Sequence, residues 1–183
     1  MSDKPRQGIA AQKLQVLFSG TGYNFYDDKN KMRADDLLVR QKASAALADA
    51  AQTLTNLDSD YRRRFVPPAT RENPYPPPDV MQNVREIGRL RDRIRDLSSR
   101  ILALPAPAQD KVWFRFRQET TLLNELFVFD YDLVEQTQQL AEQARLITPE
   151  SWNQGAGASS LEASLDKLDQ LIRDRWQLLS MPT

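Results

Sequence analysis

The 183-residue chain contains no cysteine and no histidine. Without thiols it has no disulfides, thiolate metal ligands or cysteine nucleophiles, a composition compatible with a reducing compartment. Without imidazole it lacks the commonest acid/base group near neutral pH, the commonest metal ligand and every Ser-His-Asp or Cys-His arrangement. Catalysis here would fall to carboxylates, lysine, tyrosine or a borrowed cofactor, so the expectation is a non-enzyme without cofactor or metal. No apolar run approaches the roughly 20 residues that a membrane-spanning helix needs. Gln12, Lys13 and Gln15 interrupt what would be the apolar stretch of a signal peptide, which makes the expected location cytoplasmic and the membrane an unexpected partner.

What the chain does have is charge, balanced in total and uneven in place. Its 25 basic and 25 acidic side chains cancel. Residues 61 to 117, however, carry 13 basic against 6 acidic groups, and residues 118 to 183 carry 4 against 11, so the middle stands at +7 and the last third at −7.

Glycine and proline divide the chain into helices. From Met32 to Arg64 there is neither, and Arg40, Ala43, Leu47, Ala50, Leu54, Leu57 and Tyr61 recur at steps of three and four, which predicts a helix over 32–64 with a small-residue stripe. "FVPPATRENPYPPPD" then holds six prolines and is an extended strap over 65–78. Asp79 and Gln82 form a capping-box pattern for a second helix, 79–104. Along it Val80, Ile87, Ile94 and Ile101 fall seven apart with Leu90, Leu97 and Leu104 between them, as in a coiled-coil seam. A third helix, 108–147, shows the stripe Leu122, Leu126, Phe129, Leu133, Thr137, Leu140, Ala144 and Ile147. Thr148 and Pro149 read as a cap and the first position of a short extra turn. Ser159 and Glu162 suggest a cap for a fourth helix, 160–180, with Leu161, Leu165, Leu168, Ile172, Trp176 and Leu179 inward.

No strand-like alternation competes, so the expected fold is all-α. The expected layout is an N-terminal segment, 1–31, with a short helix and a Gly/aromatic turn, followed by one four-helix-bundle-like domain, 32–183, with long helices and a proline-rich crossover strap. At about 3.1 Å per residue the strap reaches roughly 43 Å, enough to run back along a whole helix, so the first two long helices are expected to lie parallel. The charge asymmetry is explained if the arginine-rich second helix packs beside the acidic fourth.

Four features invite a functional reading. "GTGYNFYDD" places Gly20 and Gly22 before Tyr23, Phe25 and Tyr26, but it matches neither a Walker loop nor a dinucleotide fingerprint. The glycines fit a tight turn, and the rings either plug one end of the bundle or mark a contact surface. "VWFRF" and "LFVFDYD" supply Trp113, Phe114, Phe116, Phe129 and Tyr131, more bulk than one narrow seam uses. Arg62, Arg63 and Arg64 could meet phosphates or an acidic partner. "ENPYPPP" has the composition of a proline-rich ligand, although proline-rich connectors are commonly rigid spacers. Glu119, Glu125, Asp130, Asp132 and Glu135 lack the histidines of a di-metal bundle site, and solvated helix faces account for them more simply. Together these point to a non-catalytic protein–protein interaction module, such as an adaptor, assembly factor or regulatory subunit, whose partners are other protein chains or a second copy of itself. The alternative is nucleic-acid binding through the Arg-rich middle, against which "RLRDRIRD" interleaves arginine with aspartate and the pI is near 6.4.

Overall fold

A computed structural model describes residues 4–23, 32–104 and 110–180, and every regular element among them is a helix. The helices are α1 (Lys4–Leu17), α2 (Met32–Phe65), α3 (Pro78–Ala103), α4 (Asp110–Gln118), α5 (Thr120–Leu146), α6 (Pro149–Asn153) and α7 (Ala158–Leu179). α2 lies against α3 and α5, α5 against α1 and α7, and α3 against α7, and the helices pack on one another around one core. None of the described helices is long and apolar enough to cross a membrane.

Most positions of the periodic stripes are buried, while Val80, Leu104, Leu122, Phe129, Ile147 and Trp176 are only partly so. On α3 Val84, Ile87, Leu90, Ile94, Leu97 and Ile101 are all buried, and on α2 the whole stripe from Arg40 to Tyr61 is buried as well. Each fully buried aliphatic side chain contributes about 1.5–3 kcal/mol by leaving water. Small residues line the α2–α3 seam, where the hydroxyls of Ser44 and Ser98 meet at 2.7 Å.

α2 and α3 are antiparallel, which corrects the expected parallel crossover. Arg40 near the start of α2 reaches the carbonyl of Leu102 at the end of α3, while Tyr61 near the end of α2 accepts from Asn83 near the start of α3. The strap is therefore a hairpin connection between neighbours. Contour length misled the expectation, because the strap turns on itself: Thr70 N–H donates to the Asn73 carbonyl, and Asn73 N–H donates back to Thr70 Oγ1.

Three helix boundaries also differ from the sequence reading. The expected single helix over 108–147 is two, broken at Glu119, whose backbone is extended at φ −101°, ψ 93°. On an unbroken helix Phe116 and Leu126 would sit about 80° apart around the axis at 100° per residue; the break resets the phase, and both are buried. α3 starts at Pro78, with Asp79 in its first turn instead of at the cap, because proline suits a first helical position that needs no N–H partner. α7 is preceded by Gly157 at φ 101°, not capped by Ser159. Thr148 does cap α6 as expected, exchanging side-chain and backbone hydrogen bonds with Ser151.

The arginine-rich helix does pack beside the acidic one. Arg93 meets Asp166 at 2.5 Å, Arg100 meets Asp169 at 2.8 Å, and Arg89 meets Glu162, all between α3 and α7. In Arg89–Glu162 and Arg93–Asp166 the partners are the same 73 residues apart, so moving along α3 moves in the same sense along α7 and the two helices run in the same direction.

Candidate functional site

α1 supplies one wall of a cleft of about 470 Å³. Ala10, Leu14 and Phe18, four residues apart, bury one side of the helix in the core. The residues between them, Lys13 and Val16 among them, are then left on its outer side, and Val16 is 75% exposed. Facing them on α5 are Tyr131 and Glu135, one helical turn apart and therefore stacked on the same face. Lys13 Nζ donates to Tyr131 Oη at 2.8 Å and also sits 4.8 Å from the centre of its ring. The Tyr131 hydroxyl in turn donates to Glu135 Oε1 at 2.5 Å.

This Lys–Tyr–Glu chain borders three clefts. The first, of about 470 Å³, lies between α1 and α5 and is lined by Gln12, Val16, Leu17 and Gln138 with the three members of the chain. A second, of about 230 Å³, opens beside it near Ile9, Ala10 and Val128. A third, of about 360 Å³, lies between α5 and α7 with Asp132, Lys167 and Asp174 in its walls, and Glu135 borders all three. Burial holds the Tyr131 hydroxyl above its ordinary pKa, and its hydrogen bond to Glu135 adds to this against the opposing pull of Lys13. The hydrogen bond to Tyr131 raises the Lys13 ammonium as well. A protonated, hydrogen-bonded lysine is a poor nucleophile, so the chain can orient polar groups of a ligand rather than attack one.

Of the aromatic candidates, the structure places Tyr131 at these clefts. Tyr23 is buried and stacks on Phe18 with centroids 4.8 Å apart, behind the turn that Gly20 and Gly22 make at φ 82° and 85°. Its ring is turned into the core. Trp113 and Phe116 are likewise buried, 6.3 Å apart, which removes them from any surface; Phe129 is partly buried and Phe114 half exposed. Phe25 and Tyr26 lie outside the described residues. Arg62, Arg63 and Arg64 are exposed, but each faces an acid: Asp58 at 2.9 Å, Asp60 at 3.5 Å, and Glu150. Among the described residues no group of three or more carboxylates is arranged to hold a metal ion.

Sequence reasoning placed a short helix in this segment but missed Lys13, Val16 and Ile9 as cleft residues. A signal was available, because Ile9, Val16 and Leu17 are apolar residues surplus to the Ala10–Leu14–Phe18 stripe.

The second feature it missed is a buried charge cluster. Arg175 of α7 donates Nε and Nη2 to Asp130 Oδ1 of α5, at 2.8 and 2.6 Å, and lies 2.9 Å from Asp36 of α2. Asp36 also pairs with Arg40 at 2.6 Å, and Arg40 donates to the Leu102 and Leu104 carbonyls at the end of α3. All four side chains are buried, so none can be lost without stranding a partner in a low-dielectric interior. The cluster joins four helices and has no cleft beside it among those described, which makes it a structural element.

No protein-family model, curated protein or solved structure matches the chain.

Proposed function

We propose that the chain is a non-catalytic protein-binding module on a four-helix-bundle-like scaffold, with α1 as an added helix that builds the contact face. The observation that carries this reading is the α1–α5 cleft, where Val16 stands largely in solvent beside about 470 Å³ of space walled by Leu17 and Tyr131. The occupant that suits it is a helix of another protein laid alongside α1, its apolar side chains against Val16, Leu17 and Tyr131 and its polar flank against Gln12, Gln138 and Glu135. Use of most buried charge in mutual ion pairs supports a binding role over a catalytic one. The basic middle segment offers less to nucleic acid than its composition suggests, since its arginines face acids along α2, α3, α6 and α7.

A photo-crosslinking residue placed at Val16 in the native host tests this. The expected result is a discrete cross-linked protein product that Tyr131→Ala diminishes and Phe114→Asp leaves intact. A product at twice the 21.0 kDa chain mass identifies the partner as a second copy. Absence of any protein product, with a monomeric mass in solution, overturns the reading.

A further inference from the structure

We infer that the strap between α2 and α3 is a second, separate contact element: a preorganised proline-rich ligand, centred on Tyr75, for a partner domain with an aromatic-lined groove. The fold gives no reason for its length. Antiparallel neighbouring helices are usually joined by about 2–8 residues, whereas α2 ends at Phe65 and α3 begins at Pro78. Nor is the surplus used in packing, since from Pro67 to Asp79 only Pro76 is even half-buried. Tyr75 is 84% exposed, more than any other large apolar side chain described. An aromatic ring held largely in water is the kind of side chain that anchors interfaces.

The strap is also held in place. Val66 N–H bonds the Arg62 carbonyl at one end, Met81 N–H bonds the Pro77 carbonyl at the other, and the Thr70–Asn73 turn closes the middle. Pro74 and Pro76 flank Tyr75 and fix the backbone on both sides, while Pro77 stands at φ −54°, ψ 138°, the polyproline II conformation. Less conformational freedom is therefore lost when a partner closes on it than for a free peptide. From Pro74 to Pro77 the spacing matches the three residues of one polyproline turn, so a groove meets both prolines on one edge, with Arg71 set beyond them in the Thr70–Asn73 turn, toward an acidic rim.

The test uses the full chain and isotope-labelled SH3 and WW domains as probes of polyproline recognition, followed by NMR. At least one probe is expected to show saturable shifts confined to its aromatic groove. Tyr75→Ala, and separately Pro74→Ala with Pro77→Ala, should each weaken that binding at least tenfold while leaving helicity and melting temperature unchanged, and Arg71→Glu should weaken it further at low salt. Val16→Asp should leave it untouched, which separates this surface from the α1–α5 cleft. The inference is overturned if no probe shifts, or if the double proline variant binds as well as the parent.

Discussion

Arg175 Nη2 lies between Asp130 Oδ1 at 2.6 Å and Asp36 Oδ1 at 2.9 Å, so a single guanidinium from α7 bridges α5 and α2 inside the core. Removing one partner is the costly change, because the remaining charges stay buried. Asp130→Ala is expected to cost about 3–5 kcal/mol in urea unfolding. Asp130→Leu combined with Arg175→Met leaves the neutral Asp36–Arg40 pair and should cost clearly less than the two single changes added together. Strict additivity would mean that the bridge carries no coupling.

Ile94 is wholly buried at the centre of the α3 stripe. Ile94→Ala should lose about 2–5 kcal/mol, the combined effect of lost burial and the cavity left behind. Ile94→Asp should unfold the chain outright, read by circular dichroism. A parent-like melting curve for the aspartate variant would place Ile94 outside the core.

Burial pushes the Asp169 carboxyl up, but hydrogen bonds from Arg100 and Arg173 outweigh it, and its pKa falls below the ordinary 3.8. The stability it adds is therefore present above 3.8 and lost as pH falls through its lower folded value. Asp169→Asn should cost no more than about 1 kcal/mol at neutral pH, and nothing once the parent carboxyl is protonated. Chemical unfolding at pH 7 and at pH 2 provides the comparison.

Tyr131 has the opposite sign. Its pKa is raised from 10.0 first by burial and then by its bond to Glu135, so above 10.0 the folded chain keeps a proton that the unfolded chain has released. Stability should fall with rising pH across that interval, and Tyr131→Phe should remove the slope along with the late phenolate absorbance. A parent and variant with identical alkaline limbs would show that the hydroxyl is not held.

Gly157 and Gly155 both have positive φ, but only Gly157 is crowded: a Cβ there would come within 2.8 Å of Ile147 Cδ1. Gly155→Ala should lose only the backbone contribution, about 1–2 kcal/mol. Gly157→Ala should lose more, and Ile147→Ala in the same chain should recover part of the difference, as thermal unfolding of the three variants would show.

The core was legible where one face of a helix had one task. Ile87, Leu90, Ile94 and Leu97 announce their burial through spacing alone, as do Leu47 and Leu54. It was not legible where polar groups took core positions. Arg175 occupies the inward place that periodicity assigned to Trp176, because its charge is matched by carboxylates distant in sequence. The break at Glu119 carries no glycine or proline, and only the phase mismatch between Phe116 and Leu126 hints at it. The cleft depends on α1 docking against α5, more than a hundred residues away, a pairing that no local pattern encodes. Tyr131 was recognisable as surplus aromatic bulk, whereas Lys13 and Glu135 acquire their roles only through that pairing.

The two antiparallel pairs also set an order of assembly. α2 and α3 are neighbours in the chain and meet through contacts such as Tyr61 with Asn83, while α5 and α7 meet through Gln143 with Ser164. Each hairpin closes between elements adjacent in the chain, whereas joining one hairpin to the other requires the distant Asp36–Arg175 and Asp49–Arg145 pairs. Hairpins should form early and the buried ion bridge late. Weakening that bridge should then accelerate unfolding and leave the folding rate almost unchanged, so the lifetime of the native state is set at the junction between the two hairpins.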